Sequence, residues 1–201
     1  MTESLTRAEQ KQQTRETIMA AAIKKMNEDR GFSSLSLREV AKEAGIAPTS
    51  FYRHFENMEE LALALVQEAG DALYKIMRDT QESEATGVGM VENSVAVSMS
   101  YFRHHGSLFR VLAREATGNS PIIRRAIQRV LNELNKQLAS VIEQEMKRQG
   151  RAITNAAWIA EAIITIIFYV GVSTIDLPYS RQKEAEKRLV HHIRALYFGA
   201  E

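Results

Sequence analysis

Apolar positions along this chain recur with helical spacing almost from end to end. Ile18, Ala21, Ala22 and Met26 mark one stripe, Leu37, Val40, Ala41 and Ala44 a second, and Leu61, Leu65, Ala69, Leu73 and Met77 a third. Steps of three and four residues put each set on one covered face of a helix. Further stripes run through Val91, Val95, Met99 and Phe102, through Leu108, Phe109, Val111 and Leu112, and through Ile123, Ile127, Val130, Leu134, Leu138 and Val141. The last is Leu189, Ile193 and Leu196. Breakers fall between them: Gly31, Gly45, Gly87 with Gly89, Gly106, Gly118 with Ser120, and Gly150. Pro48, Pro121 and Pro178 all sit at expected helix starts or turns, as an all-helical partition requires. The pattern predicts an all-α chain of about nine helices. Residues 1 to about 8 read as a frayed arm, and the first helix as running from near Ala8 to Asp29.

Ser36 to Phe55, SLREVAKEAGIAPTSFYRHF, is the most informative stretch. Ser36 with Glu39 has the spacing of a capping box, and Gly45 supplies a residue that ends a helix in the left-handed region. Pro48 suits a first helical position, where no N–H is needed. Two short helices joined by a tight turn make the outline of a helix-turn-helix. The second, read as eight residues long, turns Phe51 and Phe55 inward and Thr49 and Arg53 outward, with Ser50 and Tyr52 on the flanks. Such a face suits a polar partner, the major groove above all. A solvated helical hairpin fits the pattern equally well.

The same stretch resembles the DNA-binding signature of TetR-family repressors. Gly31, Phe32, Leu35, Leu37, Arg38, Val40, Ala41, Gly45, Ile46, Phe51, Tyr52, His54 and Phe55 match it in order and spacing. The resemblance implies a helix-turn-helix DNA-binding domain at 1–56 and a ligand-binding and dimerisation domain at 57–201. Asn57 with Glu60 then caps the long helix that links them. It also implies a dimer reading a palindromic operator in double-stranded DNA, through Ser36, Arg38, Pro48, Thr49, Ser50, Tyr52, Arg53 and His54. Arg38 is the expected base reader, since arginine pairs bidentately with guanine. Tyr52 and His54 are expected on phosphates, which set register; for His54 a purely structural role is the rival. Two departures stand out. Ala47 replaces a capping serine, and Met58 replaces a phosphate-contacting lysine, so that contact is not carried over.

Residues 152–175 hold a single charge, Glu161. The run is long enough for a membrane helix, yet an acid well inside one is costly. Ile163 to Val172 has the local propensity of a strand. In a chain otherwise helical, a buried helix is the expected form, covered by a core and by a second subunit. The last two helices are therefore expected to form the dimer seam, with no membrane involved.

Charge adds little. The 201 residues carry 26 Lys and Arg against 25 Asp and Glu, and residues 1–55 carry nine against seven. That is a weak electrostatic footprint for nucleic acid, although Lys11 and Arg15 are candidate phosphate contacts. The chain has no cysteine, and its charged N-terminus lacks a signal-peptide core, so a cytoplasmic protein is expected. Enzyme readings find no support. His104-His105 and His191-His192 are adjacent pairs without metal-ligand spacing, and no phosphate loop or nucleophile elbow is present. No cofactor is expected. A helical lipid-binding or scaffold protein is the rival from another class, and it leaves Ser36–Phe55 unexplained.

Most of the chain also resembles the FabR/DesT branch of the family, repressors of unsaturated-fatty-acid synthesis genes that sense long-chain acyl thioesters. Ser34–Phe55, Phe109–Glu115 with Gly118, and Glu186–Val190 carry the likeness. It implies a fatty-acyl-CoA or acyl carrier protein as effector, with the acyl tail in an apolar chamber inside helices four to eight. Phe102, Phe109, Leu112, Trp158, Ile163 and Ile167 are the expected lining, although each is also ordinary core material. Arg110 and Arg114 are possible partners of a phosphate or an internal acid, or members of a surface salt network with Glu115.

Overall fold

A computed structural model describes residues 6–27, 31–81, 88–151 and 155–199. Among the described residues there are nine α-helices and no strand. These are α1 (Arg7–Asn27), α2 (Leu37–Glu43), α3 (Pro48–Phe51), α4 (Met58–Gln81), α5 (Val88–His104), α6 (Gly106–Glu115), α7 (Pro121–Arg148), α8 (Ala156–Thr174) and α9 (Tyr179–Phe198), with a 3-10 turn at Phe32–Ser34. The expected end of the first helix at Asp29, the Gly87 loop and the start of the apolar run at Ala152 lie outside the described residues.

Local signals place most helix ends. Ser36 Oγ accepts from Glu39 N–H at 3.3 Å while the Glu39 carboxylate takes the Ser36 N–H at 3.0 Å, which satisfies two donors at the start of α2. Gly45 ends that helix at φ 69°. Asn57 Oδ1 caps α4 through Glu60 N–H at 2.9 Å. The frayed-arm expectation needs correction at its end: Thr6 and Glu9 form another capping box, at 2.7 and 3.3 Å. Its Ser/Thr-x-x-Glu spacing was there to be read.

The chain divides into two compact units. One holds Met1–Ala69 with Arg110–Ile127, and the other Gly70–Phe109 with Gln128–Glu201. In the first, Ile18, Ala22, Met26, Val40, Ala41, Phe51, Phe55 and Leu61 are at most 1 % exposed, so α1, α2, α3 and the start of α4 share one core. The end of α6 is tied into it by two hydrogen bonds. Arg114 donates to the Met26 carbonyl at 2.6 Å, and the buried Glu115 carboxylate accepts from Phe32 N–H at 2.9 Å.

In the second unit α5, α8 and α9 pack on one another around Val95, Met99, Ala160, Leu189 and Ile193. Ion pairs Arg194–Glu92 and Arg103–Glu186 join α5 to α9. Residues 163–172 are helical, and the strand alternative falls. α8 is long and apolar enough to cross a membrane by length and composition alone. It is far from fully covered in the single chain, since Trp158 is 70 % and Tyr169 72 % exposed.

Candidate nucleic-acid interface and apolar chamber

The head presents the expected polar residues on α2 and α3. Ser36, Arg38, Pro48, Thr49, Tyr52 and Arg53 are exposed, and Ser50 and His54 are half-buried. Arg38 has no hydrogen-bond or ion-pair partner among the described residues, which leaves its five donors available. The eight-residue reading of α3 is corrected. Only Pro48–Phe51 is α-helical, and i→i+3 bonds from Arg53 N–H to Ser50 and from His54 N–H to Phe51 tighten the turn beyond it. Tight last turns of this kind are a common way to finish a helix. Ala47 makes no side-chain cap, as its lack of an acceptor dictates, at a cost of about 1 kcal/mol relative to serine.

Arg15 is engaged within the head. Its guanidinium donates to the His54 carbonyl at 2.6 Å and lies 4.1 Å over the Phe55 ring, clamping α1 to the turn that follows α3. The sequence carries no local sign of this, because 39 residues separate the partners. Beside it, His54 is held below its ordinary pKa of 6.5, first by burial and then by the cations of Lys11, Arg15 and Arg53. The neutral imidazole is thereby favoured.

Arg114 and Glu115 are both engaged inside the first unit, where they bind the backbone of Met26 and Phe32 respectively. Glu115 is 5 % exposed, and a side chain at Gly118 would come within 2.8 Å of its carboxylate.

The second unit encloses a chamber of about 140 Å³. Leu73, Ile76, Met77, Thr80 and Gln81 line it from α4, and Met90, Val91, Ser94, Ser98 and Phe102 from α5. Leu131, Leu134 and Leu138 of α7, Ile163, Ile167 and Phe168 of α8, and Ile193 and Tyr197 of α9 close it. Of the expected lining, Phe102, Ile163 and Ile167 are in place. The other three are not. Phe109 is buried behind Phe102, with ring centroids 4.6 Å apart; Leu112 is buried in the first unit; Trp158 faces outward. The chamber therefore uses α9 and not α6. Three of its hydroxyls turn back on their own helices: Thr80 donates to the Ile76 carbonyl, Ser94 to Met90 and Ser98 to Ser94, at 2.7–2.8 Å. Among the described residues no charged side chain lines it, so it offers mainly hydrocarbon contact.

Comparison with known proteins agrees with this layout. Residues 18–65 match the family model for bacterial regulatory proteins of the tetR family, and residues 88–196 match that for the tetracyclin repressor-like C-terminal domain. Among solved structures, a putative TetR-family regulator from Syntrophomonas wolfei aligns with TM-score 0.77 at 16 % identity, covering 94 % of this chain and 97 % of that one. The fatty acid degradation regulator FadR of Bacillus halodurans aligns at 0.72 and 23 % identity, covering 90 % and 96 %. FadR of Bacillus subtilis, solved in complex with stearoyl-CoA, aligns at 0.72 and 18 % identity, covering 92 % and 99 %. With a head and a C-terminal domain both matched, the chain belongs to the TetR family of bacterial transcriptional regulators, which bind DNA, dimerise and are not enzymes.

Proposed function

We propose that the protein is a cytoplasmic, homodimeric repressor of fatty-acid synthesis or desaturation genes, released from or secured to a palindromic operator by a long-chain acyl thioester. The observation that carries this reading is the chamber. It is apolar and, among the described residues, free of charge, a lining suited to an alkyl chain and poorly suited to a polar effector. The FadR neighbour solved with stearoyl-CoA supports the same class of effector.

At about 140 Å³ the chamber matches a cavity that holds benzene, so a long acyl tail must widen it on entry. Met77 and Met90 are unbranched and adaptable, suited to such yielding. A ligand that widens its site binds one conformation better than another, which is what shifting a DNA-binding equilibrium requires. On the DNA side, Arg38 reads a base, Thr49 and Ser50 touch base edges, and Tyr52, Arg53 and His54 set register, with Ser36 and Pro48 at helix starts beside the backbone. Dimerisation runs through α8 and α9: Trp158, Ala162, Thr165 and Tyr169 form one stripe of α8 that the single chain leaves largely uncovered.

The test is fluorescence anisotropy with duplexes from upstream of the protein's own gene and of neighbouring lipid genes, with and without oleoyl-CoA and palmitoyl-CoA. Salt-dependent binding that an acyl-CoA alters and free coenzyme A does not is the expected result. Operator binding indifferent to every acyl-CoA would remove the fatty-acid reading and leave the repressor.

A further inference from the structure

We infer that Gly171 and Phe102 together form the closed end of the chamber and set the length of unbranched hydrocarbon chain it accepts. The inference rests on the proposal that the chamber takes an alkyl chain. Met90, Val91, Ser94, Ser98 and Phe102 line the chamber about once per turn of α5. At 1.5 Å per residue the run from Met90 to Phe102 covers about 18 Å. The space is therefore long and thin, the shape of an alkyl chain.

Phe102 is the last α5 residue along that run. Its ring is 1 % exposed and packs against Phe109 at 4.6 Å and Phe168 at 5.8 Å between centroids. The remaining side is α8, where Gly171 gives the ring its seat. A Cβ on Gly171 would lie 2.4 to 2.6 Å from three atoms of the Phe102 ring, closer than any real contact. Alanine is the better residue in the middle of a helix, so what this glycine provides is space. With Phe109 and Phe168 on its other sides, a ring pushed off Gly171 has only the chamber to move into. Packed against Phe109, Phe168 and Gly171, the Phe102 end is closed, so a chain reaches it methyl end first.

The experiment is isothermal titration calorimetry of the full chain with straight 1-alkanols from butanol to dodecanol. In the wild type, affinity should rise about fourfold per added CH₂ until the tail meets Phe102, and then stop rising. Gly171→Ala should bring that break to a shorter alkanol. Phe102→Ala should move it to a longer one, with Phe102→Leu between, so that a folding failure of the alanine variant leaves the comparison standing. The same break length in every folded variant would overturn the end stop while leaving the chamber reading intact. Absence of any alkanol binding by the wild type would overturn both.

Discussion

Arg15 shows how a single side chain can brace a helix end from far along the chain. Its hydrogen bond to the His54 carbonyl and its place over Phe55 hold the end of α3. Arg15→Met keeps apolar cover on the ring and removes the donor. It should cost about 1.5–3 kcal/mol of stability, seen in the urea midpoint, and weaken all operator variants alike. Arg38→Ala should behave oppositely, with stability unchanged and about 1–3 kcal/mol lost at one base of each half-site. A uniform loss across single-base variants would remove Arg38 from base reading. His54 adds a pH signature. Burial and neighbouring cations disfavour its charged form, so the unfolded chain takes up that proton first as pH falls. The stability is full above about pH 6.5 and is lost as pH drops below it. Denaturation midpoints at pH 7.5 and 5.5 should differ more in wild type than in His54→Gln. The exposed setting of Arg38 and the half-buried one of His54 were legible from their spacing. Arg15 was not, because its role depends on a partner far along the chain.

Helix ends were the most readable elements, since a cap is a contract between residues three apart. Ser36 with Glu39, Gly45, and Asn57 with Glu60 all behave as their chemistry dictates. The last turn of α3 was harder, because the choice between α and 3-10 bonds is settled by packing. The end of α6 was hardest. Nothing near Glu115 in the chain announces that its carboxylate receives the N–H of Phe32, 83 residues away. Glu115→Ala leaves that buried donor without its acceptor and should cost about 1–3 kcal/mol. Chemical unfolding measures this, and Glu115→Gln, which keeps an acceptor, should recover part of the loss. Equal stability of all three proteins would mean that water replaces the carboxylate.

For the molecule as a whole, the fold class was legible because helical periodicity persists through the chain. The chamber was only half legible. An apolar run shows that α8 must be covered, yet periodicity cannot say which of its sides meets core, cavity or another subunit. Ile163 and Ile167 face the chamber while Trp158 and Tyr169 face outward. Trp158→Glu or Tyr169→Glu should convert a dimer to monomer by light scattering and lower operator affinity more than tenfold, since two heads no longer act together. A variant that stays dimeric would move the seam off this stripe. The hydroxyls of Thr80, Ser94 and Ser98, each turned back on its own helix, have a last consequence. They add little polarity to the lining, so a captured alkyl tail is buried against hydrocarbon, and calorimetry should show a negative heat-capacity change on binding.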